Sequence, residues 1–286
     1  MIELLQHQFV QNAFLAGTII SIVCAIVGYF VVLRSQAFAG HALSHIGFAG
    51  ATGAALLGVS ALTGTFLFTI IAALGMGTLG KRLQGRDVEI GMVLSFALGL
   101  GVLFLKLYTT NANETVGILF GSILSVTSYD LILSVLTGMI TLLFVICMFR
   151  PLLFSSVDPE VAEARGVPVR FLSNMFMVLL AATVTEAILI VGVLLVFALL
   201  VTPAAIAQHI SKRPLITILF SILLGLFFTW GGLFLALWLH GPVSFFIAGL
   251  ASLSYLLIVP LAHIISPHFY SSFSHTDREN KFAIEG

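Results

Sequence analysis

Charged residues are scarce in this chain. Only 8% of its 286 residues are Asp, Glu, Lys or Arg, whereas roughly a quarter are charged in an ordinary soluble domain. The formal net charge is zero, which excludes a basic face for nucleic acid and an acidic tail. The mean hydropathy is +1.15, and no polar run is long enough to fold by itself. The sequence therefore predicts one integral membrane domain surrounded by lipid.

The chain has only two cysteines, and several enzyme motifs are absent. Cys24 and Cys147 lie in separate apolar runs without a CxxC spacing, so they provide neither a disulfide framework nor a thiolate metal site. The chain has no GxxxxGK[ST] phosphate loop, no HExxH protease motif and no CxxCH haem motif. We therefore predict that it is not an enzyme, that it has no permanently bound cofactor, and that any ATP hydrolysis belongs to another subunit.

Apolar stretches long enough to cross a membrane recur along almost the whole sequence. Several are short or rich in glycine, and such segments are sometimes re-entrant or broken where they line a cavity. The expected fold is an all-α polytopic membrane protein with eight or nine transmembrane helices. Residues 1–265 would form the transmembrane domain, and residues 266–286 a short polar cytoplasmic tail. The candidate spans lie at about 9–33, 42–58, 61–80, 90–108, 130–149, 171–188, 189–208, 214–238 and 243–265.

The positions of lysine and arginine indicate the orientation, because these residues accumulate in short cytoplasmic loops. Eleven of the twelve fall into clusters, and Lys106 is the exception. Each interval between clusters is long enough for two crossings. This predicts a cytoplasmic C-terminus and, with nine spans, an external N-terminus. The clustered residues are Arg34, Lys81, Arg82, Arg86, Arg150, Arg165, Arg170, Lys212, Arg213, Arg278 and Lys281.

The outer connection at residues 109–130 is unusually apolar. Its central LFGSIL is too apolar for a solvated loop and too short to span the membrane. We predict a short re-entrant helix at Phe120 and Gly121, tucked into the outer leaflet. An interfacial hairpin without a role is the alternative.

The inner connection, SSVDPEVAEARGVPVRF, contains the start and stop signals of a short surface helix. Ser156 or Asp158 can cap its start, Pro159 suits its first position, and Gly166 ends it. A helix of about two turns at about 158–166 would have a shape suited to docking a soluble partner. A simple connector between spans is the alternative.

Pro203 lies near the cytoplasmic end of an apolar segment, in LLVTPAAIA. Its ring removes one backbone hydrogen bond, and inside a membrane that gap must be filled by neighbours or by a ligand. We expect a kink at this position. A gating role and a purely structural role both stay open.

Two histidines one helical turn apart are the most distinctive feature. His41 and His45 stand in GHALSHIGFAG, which otherwise contains only small and apolar residues. On a helix their Cβ atoms would lie about 5 to 6 Å apart on one face. Ionisable groups inside membrane spans are costly and indicate function by default. The alternative is that His41 lies at the cytoplasmic interface and that His45 donates to a neighbouring carbonyl.

Glu186 is the only acid deep between apolar runs, in AATVTEAILIV. Thr183 and Thr185 could offer it hydroxyl partners, and it is expected near the outer end of its span. It could attract a cation or relay it inward, which makes it a candidate metal ligand. It could equally be a hydrogen-bonded carboxyl that joins two helices.

Five ordered blocks resemble the membrane subunits of the ATP-binding-cassette (ABC) importers for zinc and manganese. They cover about residues 30–210, whereas the last third is similar to the family only in hydropathy. The blocks are LRSQAFAGHALSHIGFAG, DVEIGMVLSFALGLGVL, LFGSILSVTSYDL, DPEVAEARGVPV and VGVLLVFALLVTPAAIA.

The resemblance implies a homodimeric permease of the bacterial inner membrane, in which two copies form one translocation path. One ATPase subunit would bind under each copy, and an extracytoplasmic metal-binding protein would deliver the ion. The surface helix would be the coupling helix that fits into the ATPase. Its coupling residues would be Asp158, Pro159, Glu160, Ala164 and Gly166.

The family usually reads Gly-Asp-x-x-x-His where this chain reads GHALSHIG, and the resemblance implies that both positions contact the passing metal. His41 stands at the Asp position, so two copies would supply four imidazoles around the twofold axis. Neutral imidazole suits zinc, whereas carboxylate suits manganese. We therefore expect transported Zn²⁺, held with incomplete coordination. Manganese or iron in the same family is one alternative, and a proton-coupled metal exporter is another.

Overall fold

The computed structural model describes residues 7–79, 86–107, 121 and 123–265. Within these residues the protein is built from helices and their connections and contains no strand, which confirms the predicted all-α class. In chain order the helices are α1 (Gln8–Leu33), α2 (Ala37–Leu56), α3 (Ala61–Leu79), α4 (Arg86–Leu107), α5 (Ser128–Val157), α6 (Pro159–Ala164), α7 (Val169–Val191), α8 (Val193–Ile210), α9 (Pro214–Leu239) and α10 (Val243–Ile265), with a 3₁₀ turn at Ile123–Ser125.

Seven of the described helices are long and apolar enough to cross a membrane, namely α1, α4, α5 and α7 to α10. The prediction of a polytopic membrane protein is therefore confirmed. The apolar part of α3, Ala61–Gly77, is shorter than these seven. Helix α2 contains His41, His45 and many glycine, alanine and serine residues, which lower its hydropathy. Each of the nine predicted segments nevertheless corresponds to one long helix of the described chain.

Several helix boundaries differ from the sequence prediction. Helix α2 begins at Ala37 rather than at about 42, so both histidines lie well inside it. Helix α5 runs through Pro151 to Val157 instead of ending at about 149, because a helix continues beyond the hydrophobic stretch when its polar end reaches water. The break between α7 and α8 falls at Gly192, whose positive φ of 85° favours glycine.

Helices α1 and α7 are the most buried of the seven. Helix α1 packs against α5, α7, α8 and α9, whereas α2 packs mainly against α3 and α4. Hydroxyl groups join α1 to α9 inside the bundle: the Oγ of Ser21 and the Oγ1 of Thr229 are 2.6 Å apart, and Ser221 donates to the carbonyl of Ala25. Such interhelical hydrogen bonds stabilise contacts between helices that have no hydrophobic driving force in lipid.

The tightest helix crossing joins α1 to α8 at Gly28. A Cβ atom on Gly28 would overlap the carbonyl group of Leu200. Only a residue without a side chain permits this approach of two backbones. At the next residue of α1, the carbonyl of Tyr29 accepts a hydrogen bond from the side-chain amide of Gln208 on α8 at 3.0 Å. The α1–α8 contact is therefore fixed by both shape and a hydrogen bond.

The surface helix α6 begins at the predicted residues. The carboxylate of Asp158 accepts a hydrogen bond from the backbone N–H of Val161 at 3.0 Å, and Pro159 occupies the first position. Gly166 follows in the left-handed region with a φ of 80°. The helix has only six residues, so it is shorter than the predicted two turns. Ser156 is not the cap, because its hydroxyl donates to the carbonyl of Leu152 within α5.

The outer connection reaches into the bundle. Gly121 has a φ of 73°, and a Cβ atom there would overlap the backbone of Val191 beside the α7–α8 break. The turn Ile123–Ser125 packs against α1, and the amide of Asn12 donates to the carbonyl of Val126. Phe120 lies outside the described residues, so the predicted re-entrant helix stays a prediction.

Candidate metal-transport site

The two histidines of α2 form a ring pair. The ring centroids of His41 and His45 are 4.7 Å apart, with an angle of 81° between the ring planes. The ring of His41 also meets the edge of Phe197 on α8, at 5.1 Å between centroids. Both imidazoles are half-buried. The predicted placement of both residues on one helix face is therefore present.

Small residues bring this part of α2 close to its neighbours. A Cβ atom on Gly40 would lie 3.0 Å from the Cδ2 atom of Leu200 on α8. A Cβ atom on Gly47 would lie 2.5 Å from the Cδ1 atom of Ile188 on α7. The histidine pair is thus held beside α8, close to the α1–α8 crossing. Its position is determined by packing on both sides of the helix.

The imidazole nitrogens have no hydrogen-bond partner in the part of the chain that the structure describes. The alternative in which His45 donates to a neighbouring carbonyl is therefore not observed. Each neutral ring offers one nitrogen lone pair to a metal ion. Among the described residues, no group of three or more His, Cys, Asp or Glu could hold an ion. Helix α2 thus supplies a pair of nitrogen donors.

Glu186 lies on a different face of the bundle, between α5 and α7. Its side chain is 7% exposed, and its Oε1 atom accepts a hydrogen bond from the hydroxyl of Ser134 at 2.9 Å. The predicted partners are wrong: Thr183 donates to the carbonyl of Leu179 on its own helix, and Thr185 pairs with Thr69 on α3. A helical threonine readily bonds the carbonyl four residues earlier, so closeness in sequence did not identify the partner.

Glu186 lines a cavity of about 850 Å³ between α3, α5 and α7. This cavity is not predicted from the sequence, although the sequence of α5 contains a pattern that indicates it. Asp130, Ser134, Thr137 and Thr141 recur on α5 at helical spacing, and all four line the cavity. Such a stripe of polar residues on an otherwise apolar span could have been found by counting periodicity.

Arg34 connects the C-terminal end of α1 to the end of α5 that leads into α6. Its Nη1 atom donates to the hydroxyl of Ser156 at 3.1 Å, and its guanidinium lies 5.4 Å from the ring centroid of Phe176 on α7. This contact joins three helices beside the predicted coupling helix. Cation–π contacts of this kind are attractive at such distances.

The remaining predicted site residues lie in two places. Asp158, Glu160, Ala164 and Gly166 are exposed on or beside α6, and Pro159 is partly exposed. Ala162, rather than Ala164, is the alanine that faces the protein body. Pro203 is buried inside α8, which continues through it from Val193 to Ile210. The structure brings the coupling residues together, and it keeps them apart from the histidine pair and Glu186.

Comparisons with known proteins agree over nearly the whole chain. The model of the family described as "ABC 3 transport family" matches residues 6–262. The manganese transport system membrane protein MntC of Halalkalibacterium halodurans is 31% identical over 233 residues, which cover 81% of this chain and 80% of the relative. The manganese import system permease protein ScaB of Streptococcus gordonii is 33% identical over 218 residues, covering 76% and 78%. The solved structure of PsaBC from Streptococcus pneumoniae in complex with Fab is similar at 29% identity and a TM-score of 0.82, over 96% of this chain and 98% of that one.

Proposed function

This chain belongs to the ABC 3 transport family, and we propose that it is the membrane-spanning permease subunit of an ATP-driven importer for a divalent transition metal, with zinc as its first substrate. We further propose that it lies in the bacterial inner membrane with its C-terminus in the cytoplasm. The manganese permeases among its relatives support the class of transporter.

The histidine pair is the observation on which the metal assignment depends. Two unpaired imidazoles on α2, with rings 4.7 Å apart, are a costly arrangement inside a membrane protein unless a ligand uses them. A second copy of the chain would bring two more imidazoles and complete the site around a twofold axis. A transported ion must also leave, so an open, partly hydrated site is more suitable than a closed structural one.

We assign α6 to the ATPase contact. Its exposed residues include Val161, which is 43% exposed, and the flanking acids Asp158 and Glu160. ATP binding and hydrolysis in the partner would displace α6 and, through α5 and α7, the helices attached to it. The histidine site would then change from outer to inner exposure, which is alternating access by movement of packed helices. An extracytoplasmic metal-binding protein would supply the ion.

Manganese is the second candidate substrate, because the relatives MntC and ScaB carry manganese in their names. Residue 41 distinguishes the two metals in our proposal: imidazole favours zinc, whereas a carboxylate at this position favours manganese. Iron remains in the same class, and a proton-coupled exporter is the alternative from another class. ATP-dependent accumulation of metal in the direction opposite to export separates the importer from the exporter.

The substitution His41→Asp is expected to change metal preference toward manganese. Replacing one nitrogen donor in each chain by a carboxylate should lower zinc transport relative to manganese transport by roughly tenfold. Uptake of each metal in competition, in proteoliposomes that contain the complete transporter, gives this ratio. A ratio unchanged from the unsubstituted protein would show that residue 41 does not select the ion.

The substitution Asp158→Ala is expected to weaken coupling to the ATPase. It removes the cap of a six-residue helix, which costs about 1 kcal/mol and lowers the ratio of ordered to disordered α6 about fivefold. Transport-linked ATPase activity of the assembled complex should fall accordingly. Asp158→Asn is the matched control, because asparagine caps equally well. An equal loss in both variants would indicate that the negative charge, rather than the cap, is required.

A further inference from the structure

A polar stripe on α5 plays no part in the proposed route through the histidine pair. Asp130, Ser134, Thr137 and Thr141 lie at helical intervals, so they share one face of α5. All four line the 850 Å³ cavity. Such a stripe would be unfavourable if it faced lipid. Polar residues inside membrane spans accordingly face cavities or other helices.

The facing walls of this cavity, here named the α5 cavity, also carry oxygen atoms. Helix α7 contributes Thr185 and Glu186, and the start of α3 contributes Ser60 and Thr63. Helices α3 and α5 both pack on α7, and the cavity lies between them. Neither Lys nor Arg is among its lining residues, which are all in the described part of the chain. Its electrostatics therefore favour a cation.

One side of the cavity is open, where Phe66 and Ile140 are 48% and 61% exposed, and the cavity also opens at the end of the bundle where α3 and α5 begin. Ser60, Tyr129 and Asp130 are exposed there, and the orientation predicted from the lysines and arginines makes this the outer end. Asp130 is held in place by a capping box, in which its carboxylate accepts from the backbone N–H and the hydroxyl of Thr127 at 3.0 and 2.7 Å. A fixed negative charge thus stands at the mouth.

Glu186 has one oxygen atom without a partner. Ser134 donates to Oε1 at 2.9 Å, whereas Oε2 is buried and unpaired in the described chain. The hydroxyl of Thr137 is also close to this carboxylate, but it donates to the backbone carbonyls of Leu133 and Ser134. Buried polar atoms in folded proteins are almost always paired by protein, water or a ligand. Glu186 is 7% exposed and lines the cavity. Its unpaired Oε2 atom is therefore the atom that an incoming cation would contact.

We propose that the α5 cavity is a second cation site, separate from the histidine pair, where Glu186 binds a hydrated divalent cation of the Mn²⁺ or Mg²⁺ class. The donors are oxygen atoms only, which suit hard cations of this class. A single carboxylate leaves most ligand positions to water, and such cations keep several waters in protein sites. An ion with six waters occupies roughly 200 Å³, well within the cavity. The site goes beyond the proposed function, because it would bind its ion whether or not the chain transports one.

Binding of Mn²⁺ to the purified full-length chain tests the proposal. The electron paramagnetic resonance signal of free Mn²⁺ reports how much added ion is bound. We expect Glu186→Gln, which preserves shape and the acceptor for Ser134, to weaken the binding of one Mn²⁺ per chain by roughly tenfold or more. His41→Ala, His45→Ala should retain that ion.

A second variant guards against a folding defect in the first. Ala182→Phe places a large apolar group in the cavity without changing the carboxylate, and Ala182 lines the cavity. It should also reduce Mn²⁺ binding, while size-exclusion profiles of both variants should match that of the native chain. Unchanged Mn²⁺ binding in correctly folded Glu186→Gln would overturn the proposal. Loss of Mn²⁺ only in the histidine variant would overturn it too, and would leave the proposed importer function standing.

Discussion

The double substitution His41→Ala, His45→Ala is expected to reduce zinc uptake by more than about 100-fold while the protein still assembles. Both donors of the proposed site are removed at once, and losing even an outer-shell contact to a metal ligand costs 10- to 100-fold in affinity. The helix itself should persist, because alanine is the best helix former and both rings are only half-buried. Radioactive zinc uptake by cells that lack other zinc importers measures the effect.

A third histidine provides the control for this experiment. His240 ends α9 in the left-handed region with a φ of 53° and is exposed. His240→Asn removes an imidazole and keeps a residue that tolerates this conformation. Its zinc uptake should equal that of the native protein. Normal uptake by the double variant, at normal protein levels, would reject the assignment of His41 and His45 as ligands.

The substitution Gly28→Ala is expected to have the largest effect on stability. The new Cβ atom would overlap the carbonyl of Leu200, which is backbone and cannot rotate away, so α1 and α8 must separate. Overpacking of this kind costs about 3 kcal/mol, and it would also stretch the hydrogen bond from Gln208 to the carbonyl of Tyr29. Thermal unfolding in detergent and the yield of folded protein are the measurements.

Gly99→Ala is the matched control for Gly28→Ala. Gly99 is a helical glycine of α4, and a Cβ atom there would meet no atom within 4 Å. Alanine should leave stability unchanged or raise it by up to about 1 kcal/mol through helix propensity. If both variants were equally stable, the backbone contact between α1 and α8 would not have the importance that we assign to it.

Much of the fold could be predicted from the sequence, because the length of a hydrophobic run and the residues that begin and end a helix are local features of the chain. The short surface helix α6 follows from Asp158, Pro159 and Gly166, whose roles in capping and termination depend on near neighbours only. The start of α2 was misplaced because glycine and histidine lower hydropathy, although packing by α3 and α4 buries much of that helix. Hydropathy also predicts an end of α5 at about 149, whereas the helix continues through Pro151, where the proline costs one hydrogen bond without ending the helix.

The candidate site was only partly predictable for a related reason. The spacing of His41 and His45 in one helix is sufficient to place their rings together. The partner of Glu186 is Ser134, 52 positions away in sequence, and which helices face each other does not follow from hydropathy. The cavity between α3, α5 and α7 is likewise a property of three-dimensional packing, and only its α5 stripe was visible in the sequence.

The length of α5 has a mechanical consequence. Thirty residues make a rod about 45 Å long, which exceeds the roughly 30 Å hydrocarbon thickness and joins Asp130 at one end to α6 at the other. If such a rod pivots near its middle by about ten degrees, each end sweeps about 4 Å in opposite directions. Pro151 lies close to the C-terminal end of α5, and it is the position at which this helix bends most readily. In the proposed importer, a displacement of α6 by the ATPase would therefore move the opposite end of α5 sideways, at the rim of the α5 cavity.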